Sequence, residues 1–193
     1  MKPGQKFRNA LKNNKPLIIP GTINAYSAKL AELANHNSIY LSGSGVAAAS
    51  YGLPDLGVTT LENVLIDAKR ITSATSLPLL VDIDTGWGDF DAISNTIIEM
   101  GNANVAAVHI EDQIFDKRCG HRPNKQLVSI DEMQDRLKAA LDAKIDDSFF
   151  IMARTDALAS EGIEKAIERC GKYLDVGADG IFFEAAVSIE DYK

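Results

Sequence analysis

Short apolar, β-branched runs alternate along this chain with longer amphipathic stretches. The runs fall at Leu17–Pro20, Ser38–Leu41, Leu79–Ile83, Val105–Ile110, Phe149–Ala153 and Gly180–Phe183. Apolar positions at helical spacing cover Ser27–Asn35, Thr60–Thr75, Phe90–Met100, Ile130–Ala143 and Gly162–Val176. Six β-then-α repeats in series predict a parallel sheet, because parallel strands need crossovers and helices make the shortest right-handed ones.

Both a (β/α)8 TIM-type barrel and an open doubly wound sheet fit that alternation, and the polar positions separate them. Side chains two apart on a strand share a face, so Asp82 pairs with Asp84, His109 with Glu111, Arg154 with Asp156, and Phe182 with Glu184. Each pair sits at the carboxyl end of its predicted strand. With Ser42-Gly43-Ser44 after the second strand, these ends form one ring if the strands close, which favours the barrel. A barrel needs eight strands, and six are found before Lys193. The expectation is therefore one barrel domain over residues 1–193, truncated to about six βα units. Such an arc would expose strand edges at both ends.

With 193 residues, 46% of them hydrophobic, and no linker-like stretch, one sizeable core is expected. Twenty basic against twenty-seven acidic residues give a formal charge of -7, with Lys and Arg scattered, which argues against nucleic acid as a partner. The first fifteen residues are basic and polar, and no apolar run approaches the ~20 residues that span a bilayer. A cytoplasmic protein with no membrane partner is expected. Cys119 and Cys170 are far apart in differing contexts, so a disulfide is not expected.

The segment Asp82-Ile83-Asp84-Thr85-Gly86-Trp87-Gly88 ends a strand in two same-facing carboxylates. Paired carboxylates suit a hard divalent cation, and magnesium often takes only one or two while keeping its waters. Asp55 and Glu111 are further acidic candidates at neighbouring strand ends. The plainer reading is that these aspartates cap the next helix. Three histidines, His36, His109 and His121, without zinc-like spacing make zinc the poorer choice; His36 reads as surface, and His109 as either a satisfied barrel histidine or a functional one.

Cys119 lies in a basic loop, with Lys117 and Arg118 before it and Gly120, His121 and Arg122 after it. Nearby positive charge stabilises thiolate, and glycine frees the backbone, so a loop closing over substrate could deliver an acid–base thiol. A solvated loop with an incidental cysteine is the alternative. Cys170, within a helical pattern, reads as core. The backbone of a Ser42-Gly43-Ser44-Gly45 turn could hold a carboxylate or phosphate, as tight packing of small residues would also explain. Arg154 offers a bidentate fork for another carboxylate.

These residues, in the runs Tyr40-Leu41-Ser42-Gly43-Ser44-Gly45-Val46, Gly52-Leu53-Pro54-Asp55, Asp82 to Gly88, His109-Ile110-Glu111-Asp112-Gln113, Lys117 to Lys125 and Met152 to Ala157, resemble the isocitrate lyase and phosphoenolpyruvate mutase superfamily. Within it they are most similar to the 2-methylisocitrate lyases. The cysteine loop is the specific part, since mutases and hydrolases of the superfamily generally lack it. Isocitrate lyases usually carry Lys where this chain has Arg118, and have long insertions.

The resemblance implies cleavage of 2-methylisocitrate, a small tricarboxylate, to pyruvate and succinate in propionate breakdown, with Mg2+ and no organic cofactor. It implies metal carboxylates at Asp82 and Asp84, with Asp55 and Glu111 holding the metal's waters. It places Ser42, Gly43, Ser44, Cys119, Gly120, Arg154 and Glu184 against substrate, with Cys119 as the general acid and Lys117, Arg118 and His121 supporting the loop. It also implies a homotetramer for the full-length form. The base is left open between Tyr40 and Glu111. Ser44 stands where Gly is common, Phe183 where Pro is usual, and the seventh and eighth βα units have no counterpart. Two other readings remain at this point: isocitrate as substrate, since one methyl is worth only ~1–3 kcal/mol in a pocket, and a non-catalytic relic of the barrel.

Overall fold

The computed structural model describes residues 1–192. Five strands, β1 (Ile39–Leu41), β2 (Leu79–Asp82), β3 (Ala107–Glu111), β4 (Phe150–Thr155) and β5 (Gly180–Phe183), form one parallel sheet in the order β1-β2-β3-β4-β5. A doubly wound sheet reverses its strand order at a switch point. A strictly sequential order is an arc of a barrel, as the strand-end pattern predicts.

The helices between the strands are set by their ends. Helix α2 (Ala25–Leu33) and α4 (Leu61–Ala74) open with reciprocal capping boxes, Asn24 with Ser27 and Thr60 with Asn63. Asp89 caps α5 (Phe90–Asn102), and Ser129 caps α6 (Ile130–Asp142). After a short α7 (Leu158–Glu161), α8 (Ile163–Val176) stops at Gly177, whose φ of 115° only glycine adopts without strain. These bounds lie close to the expected helices.

Alternation on the strands divides the interior into two cores. Ile39, Leu41, Val81, Val108, Ile110, Ile151 and Ala153 face the helices and belong to the larger cluster. Leu80, Ala107 and Phe150, with Tyr40 and Met152 beside them, point to the concave side. That side is closed at the amino-terminal ends of the strands by α1 (Pro3–Asn13), whose Phe7 is fully buried and meets Phe150 edge-on at 5.2 Å. The helix sits against backbone: a Cβ on Gly4 would collide with the Ser148 carbonyl. Arg8 fixes its position by donating to Ser148 O (2.9 Å) and Asp179 Oδ1 (2.7 Å).

Two expectations are corrected. Leu17–Pro20 is not a strand. It touches β1 through one bridge, Gly21 opposite Tyr40, where Tyr40 N–H donates to Pro20 O at 2.9 Å and Thr22 N–H to Tyr40 O at 2.7 Å. Pro16 and Pro20 have no N–H to extend that ladder, and Ile18 is 67% exposed. The arc therefore has five hydrogen-bonded strands, not six. Ser42-Gly43-Ser44-Gly45 is not a free turn either: Ser42 caps helix α3 (Gly43–Tyr51), which ends at left-handed Gly52. At the other edge, β5 is half-buried along its length and has no strand beyond it among the described residues. No helix of the described residues is long and apolar enough to cross a membrane.

Candidate active site

The strand register brings the polar residues together above the concave core. Asp82 pairs with His109 across β2 and β3, and Glu111 with Arg154 across β3 and β4. Ser42 and Gly43 follow β1, and Glu184 follows β5. A polar floor thus lies at the carboxyl ends of all five strands, with charged groups at β2 to β5.

Asp82 and Asp84 share one side: a Cβ on Gly43 would stand 3.1 Å from Asp84 Oδ1 and 3.2 Å from Asp82 Oδ2. Gly43 N–H donates to Asp82 Oδ2 at 3.2 Å, so the first amide of α3 meets a carboxylate. Lys117 Nζ lies between Asp84 Oδ1 (2.6 Å) and Asp55 Oδ1 (2.7 Å). Burial opposes ionisation of Asp82, but His109, Arg154 and Lys117 and the Asp84 amide outweigh it and hold its carboxyl at about 2. Burial and the neighbouring Asp82 charge push Asp84 up to about 6, against the pull of Lys117. Burial likewise raises Glu111 well above the usual carboxylate range, opposed by Arg154 and Lys117.

Neither oxygen of Glu111 accepts a hydrogen bond, and Asp84 Oδ1 meets the Lys117 ammonium at 2.6 Å. Among the described residues no three His, Cys, Asp or Glu side chains form a ready metal cage. Magnesium does not need one, since it usually takes one or two carboxylates and keeps several waters. Buried, underbonded carboxylate oxygens at Asp84 and Glu111 fit such an ion, with Asp82 beside them.

Arg154 forms the second half of the floor. Its Nε donates to Asp156 Oδ2 at 2.9 Å, and its Nη2 lies 3.3 Å from Glu111 Oε2 and 3.6 Å from Glu184 Oε2. The guanidinium rests over Phe182, 5.6 Å from the ring centroid. Phe182 also stacks on His109, whose ring Nε2 is 2.9 Å from the Tyr40 hydroxyl. Burial, opposed by Asp82, lowers His109 to about 4, so its imidazole is neutral at neutral pH. Burial, with Asp82 adding to it, raises the Tyr40 phenol above its ordinary range.

The cysteine loop arrives in an unexpected orientation. Lys117 was expected to bias the Cys119 thiol; its ammonium is instead buried on Asp55 and Asp84. Cys119 is half-buried. It lines a cleft of about 550 Å³ with Pro54, Asp55, Leu56, Arg118, Arg122 and Pro123. Gly120 packs so closely on Arg154 and Glu184 that a Cβ there would collide with both. His121 Nε2 stands 3.5 Å from Glu184 Oε1 with its side chain exposed. Arg118 is held by its backbone, with N–H to Gln113 Oε1 (3.0 Å) and O from Gln113 Nε2 (2.9 Å). Ser44 is half-buried in the first turn of α3. Cys170, expected in the core, is only half-buried.

Three residues of this region had no role assigned from sequence. Gln113 clasps Arg118, Asp112 receives Asp156 N–H at 2.9 Å and Thr155 Oγ1 at 2.8 Å, and Lys125 joins Asp156 to the loop. Asp112, Gln113 and Lys125 stand in runs already singled out, but pattern alone shows neither what a side chain reaches nor that Lys125 is buried.

The phosphoenolpyruvate phosphomutase family model matches residues 7–192. Over 190 residues the chain is 60% identical to the 2-methylisocitrate lyase of Shewanella oneidensis, covering 98% of this chain and 65% of the relative. It is 58% identical to that of Vibrio cholerae, covering 100% and 63%. The chain thus spans a little under two thirds of the length of these curated relatives. Among solved structures, oxaloacetate acetylhydrolase in complex with 3,3-difluorooxalacetate superposes with a TM-score of 0.94 at 37% identity, covering 99% of this chain and 66% of that one. Phosphonopyruvate hydrolase in complex with oxalate and Mg++ gives 0.82 at 33%, covering 95% and 63%.

Proposed function

The chain belongs to the phosphoenolpyruvate phosphomutase family, and from that premise we propose that it carries the catalytic floor of a magnesium-dependent lyase cleaving 2-methylisocitrate to pyruvate and succinate. The observation that carries the reading is the packing of Gly120 on Arg154 and Glu184. It sets the Cys119 loop over a floor in which neither oxygen of the buried Glu111 carboxylate accepts a hydrogen bond. Relatives named 2-methylisocitrate lyase at 58–60% identity, against 36% for one named 2,3-dimethylmalate lyase, favour that substrate.

Asp82 and Asp84 would hold the metal, with Asp55 and Glu111 on its waters. Bound there, magnesium supplies fixed positive charge for the oxygen that becomes the pyruvate carbonyl. Arg154, pinned by Asp156, offers its remaining donors to a substrate carboxylate. The N–H groups at the start of α3, with Ser42 and Ser44, suit a second carboxylate. Removing the substrate hydroxyl proton breaks the adjacent carbon–carbon bond and leaves the electron pair on the carbon that becomes succinate. Glu111 suits the role of base better than Tyr40. Neither of its oxygens accepts a hydrogen bond, whereas the Tyr40 hydroxyl is engaged by His109. Cys119 then gives its thiol proton to the succinate carbon. The complete protein is read as a cytoplasmic homotetramer, which sedimentation would check.

Magnesium-dependent turnover of 2-methylisocitrate and isocitrate, compared by kcat/KM, tests the substrate. Preference for 2-methylisocitrate is expected; preference for isocitrate overturns the assignment.

A further inference from the structure

Lys125 lies at the far end of the cysteine loop from Lys117, and its ammonium is buried. Its side chain is 1% exposed, and Nζ donates to Gly120 O at 2.6 Å and to Asp156 Oδ1 at 2.9 Å. Gly120 directly follows Cys119, and the same Asp156 carboxylate receives Arg154 through Nε at 2.9 Å. One buried carboxylate therefore fixes both the guanidinium of the floor and, through Lys125, the backbone beside the thiol.

Asp156 is itself held from below. Its N–H donates to Asp112 Oδ1 at 2.9 Å, and Asp112 Oδ2 accepts from Thr155 Oγ1 and Tyr173 OH, each at 2.8 Å. Arg169 of α8 joins the network by donating to Tyr173 OH at 3.1 Å and is itself held by Glu161 at 2.7 Å. The base of the loop is pinned independently: Ile114 N–H donates to Gln126 O at 3.0 Å, and Val128 N–H to Asp112 O at 2.9 Å. Lys125 thus stands between a fixed hinge and the tip.

We propose that Lys125 is a positioning residue that latches the Cys119–Gly120 segment over Arg154 by bridging the Gly120 carbonyl to Asp156. The role rests on the proposed lyase reading for its purpose, but not for its test. A buried ammonium with two oxygen partners is well compensated; removing it leaves the Gly120 carbonyl without its donor and weakens the hold on the tip. The base of the loop and its Gln113 clasp stay in place, so the tip opens as a flap.

The test reads loop opening rather than turnover, and so separates failure of the latch from failure of the lyase assignment. Alkylation of Cys119 by iodoacetamide, located by peptide mass spectrometry, and nicking after Arg118 by an arginine-specific protease are followed in the unmutated protein, Lys125→Met and Lys125→Arg. Lys125→Met is expected to accelerate both at least fivefold while retaining a cooperative thermal transition. Lys125→Arg, which keeps a donor and a charge, should return both to within about twofold of the unmutated rates. A folded Lys125→Met with unmutated rates, or an Arg variant as open as Met, overturns the latch. Should Lys125→Met fail to fold, hydrogen exchange in the unmutated protein decides. The latch requires the Arg122 amide, which donates to Cys119 O at 2.8 Å, to exchange at least tenfold slower than in a free peptide, and free-peptide exchange overturns it.

Discussion

Lys117 Nζ lies 2.6 Å from Asp84 Oδ1, so an ammonium from the cysteine loop neutralises the carboxylates at the end of β2. The loop and the proposed metal carboxylates are thereby parts of one electrostatic unit.

Removing that ammonium leaves buried carboxylates uncompensated. Lys117→Met is expected to lose about 3–5 kcal/mol of stability in metal-free buffer, the usual cost of breaking a buried pair. A few millimolar Mg2+ should recover part of the loss by supplying the missing charge. Thermal melts of both proteins with and without Mg2+ check this, and a variant as stable as the unmutated chain without metal contradicts it.

Gly120 has no room for a side chain. Gly120→Ala places a Cβ into Arg154 and Glu184, so the loop must lift. We expect kcat/KM for 2-methylisocitrate to fall about 100-fold, the scale of a ~1 Å misplacement. The melting temperature should shift little, since the loop lies outside both cores. Activity within twofold of the unmutated protein shows that the loop works in another position.

Helix α1 closes the concave core through Phe7. Phe7→Ala is expected to cost about 3–5 kcal/mol, read as a lower urea midpoint with an unchanged slope. A loss below about 1 kcal/mol means that α1 does not seal this end of the arc.

Burial, with the negative charge of Asp112 added, pushes the Cys170 thiol up to about 11. Only thiolate alkylates, so below that pH the rate at Cys170 should rise about tenfold per pH unit, from pH 8 toward 11. Peptide mass spectrometry after timed iodoacetamide exposure measures it. A plateau by pH 9 contradicts the raised value.

The sequence pattern revealed the sheet because β2, β3 and β4 are apolar on both faces, with charges only at their carboxyl ends. It overestimated Leu17–Pro20, where apolar side chains mimic a strand but prolines withhold the ladder donors. It missed α1, whose polar residues hide that Gly4, Phe7 and Ala10 form one buried stripe. In the site, period-two alternation brought Asp82 with Asp84 and Arg154 with Asp156. What alternation cannot show is how far a long side chain travels. Lys117 looked like a neighbour of Cys119 and is a partner of Asp84. Lys125, given no role by pattern, is buried on Asp156.

Cys119 is proposed to act as the acid, apart from the carboxylates Asp82 and Asp84 that would hold the metal. Pyruvate release from 2-methylisocitrate, measured across a Mg2+ titration in the unmutated protein and in Cys119→Ser, tests it most directly, with Mg2+ affinity determined in parallel by calorimetry. Release is expected to require Mg2+ and stop with EDTA, and the serine variant to bind Mg2+ with unchanged affinity yet release no pyruvate. Turnover by Cys119→Ser near the unmutated rate, or release that persists in EDTA, would contradict it.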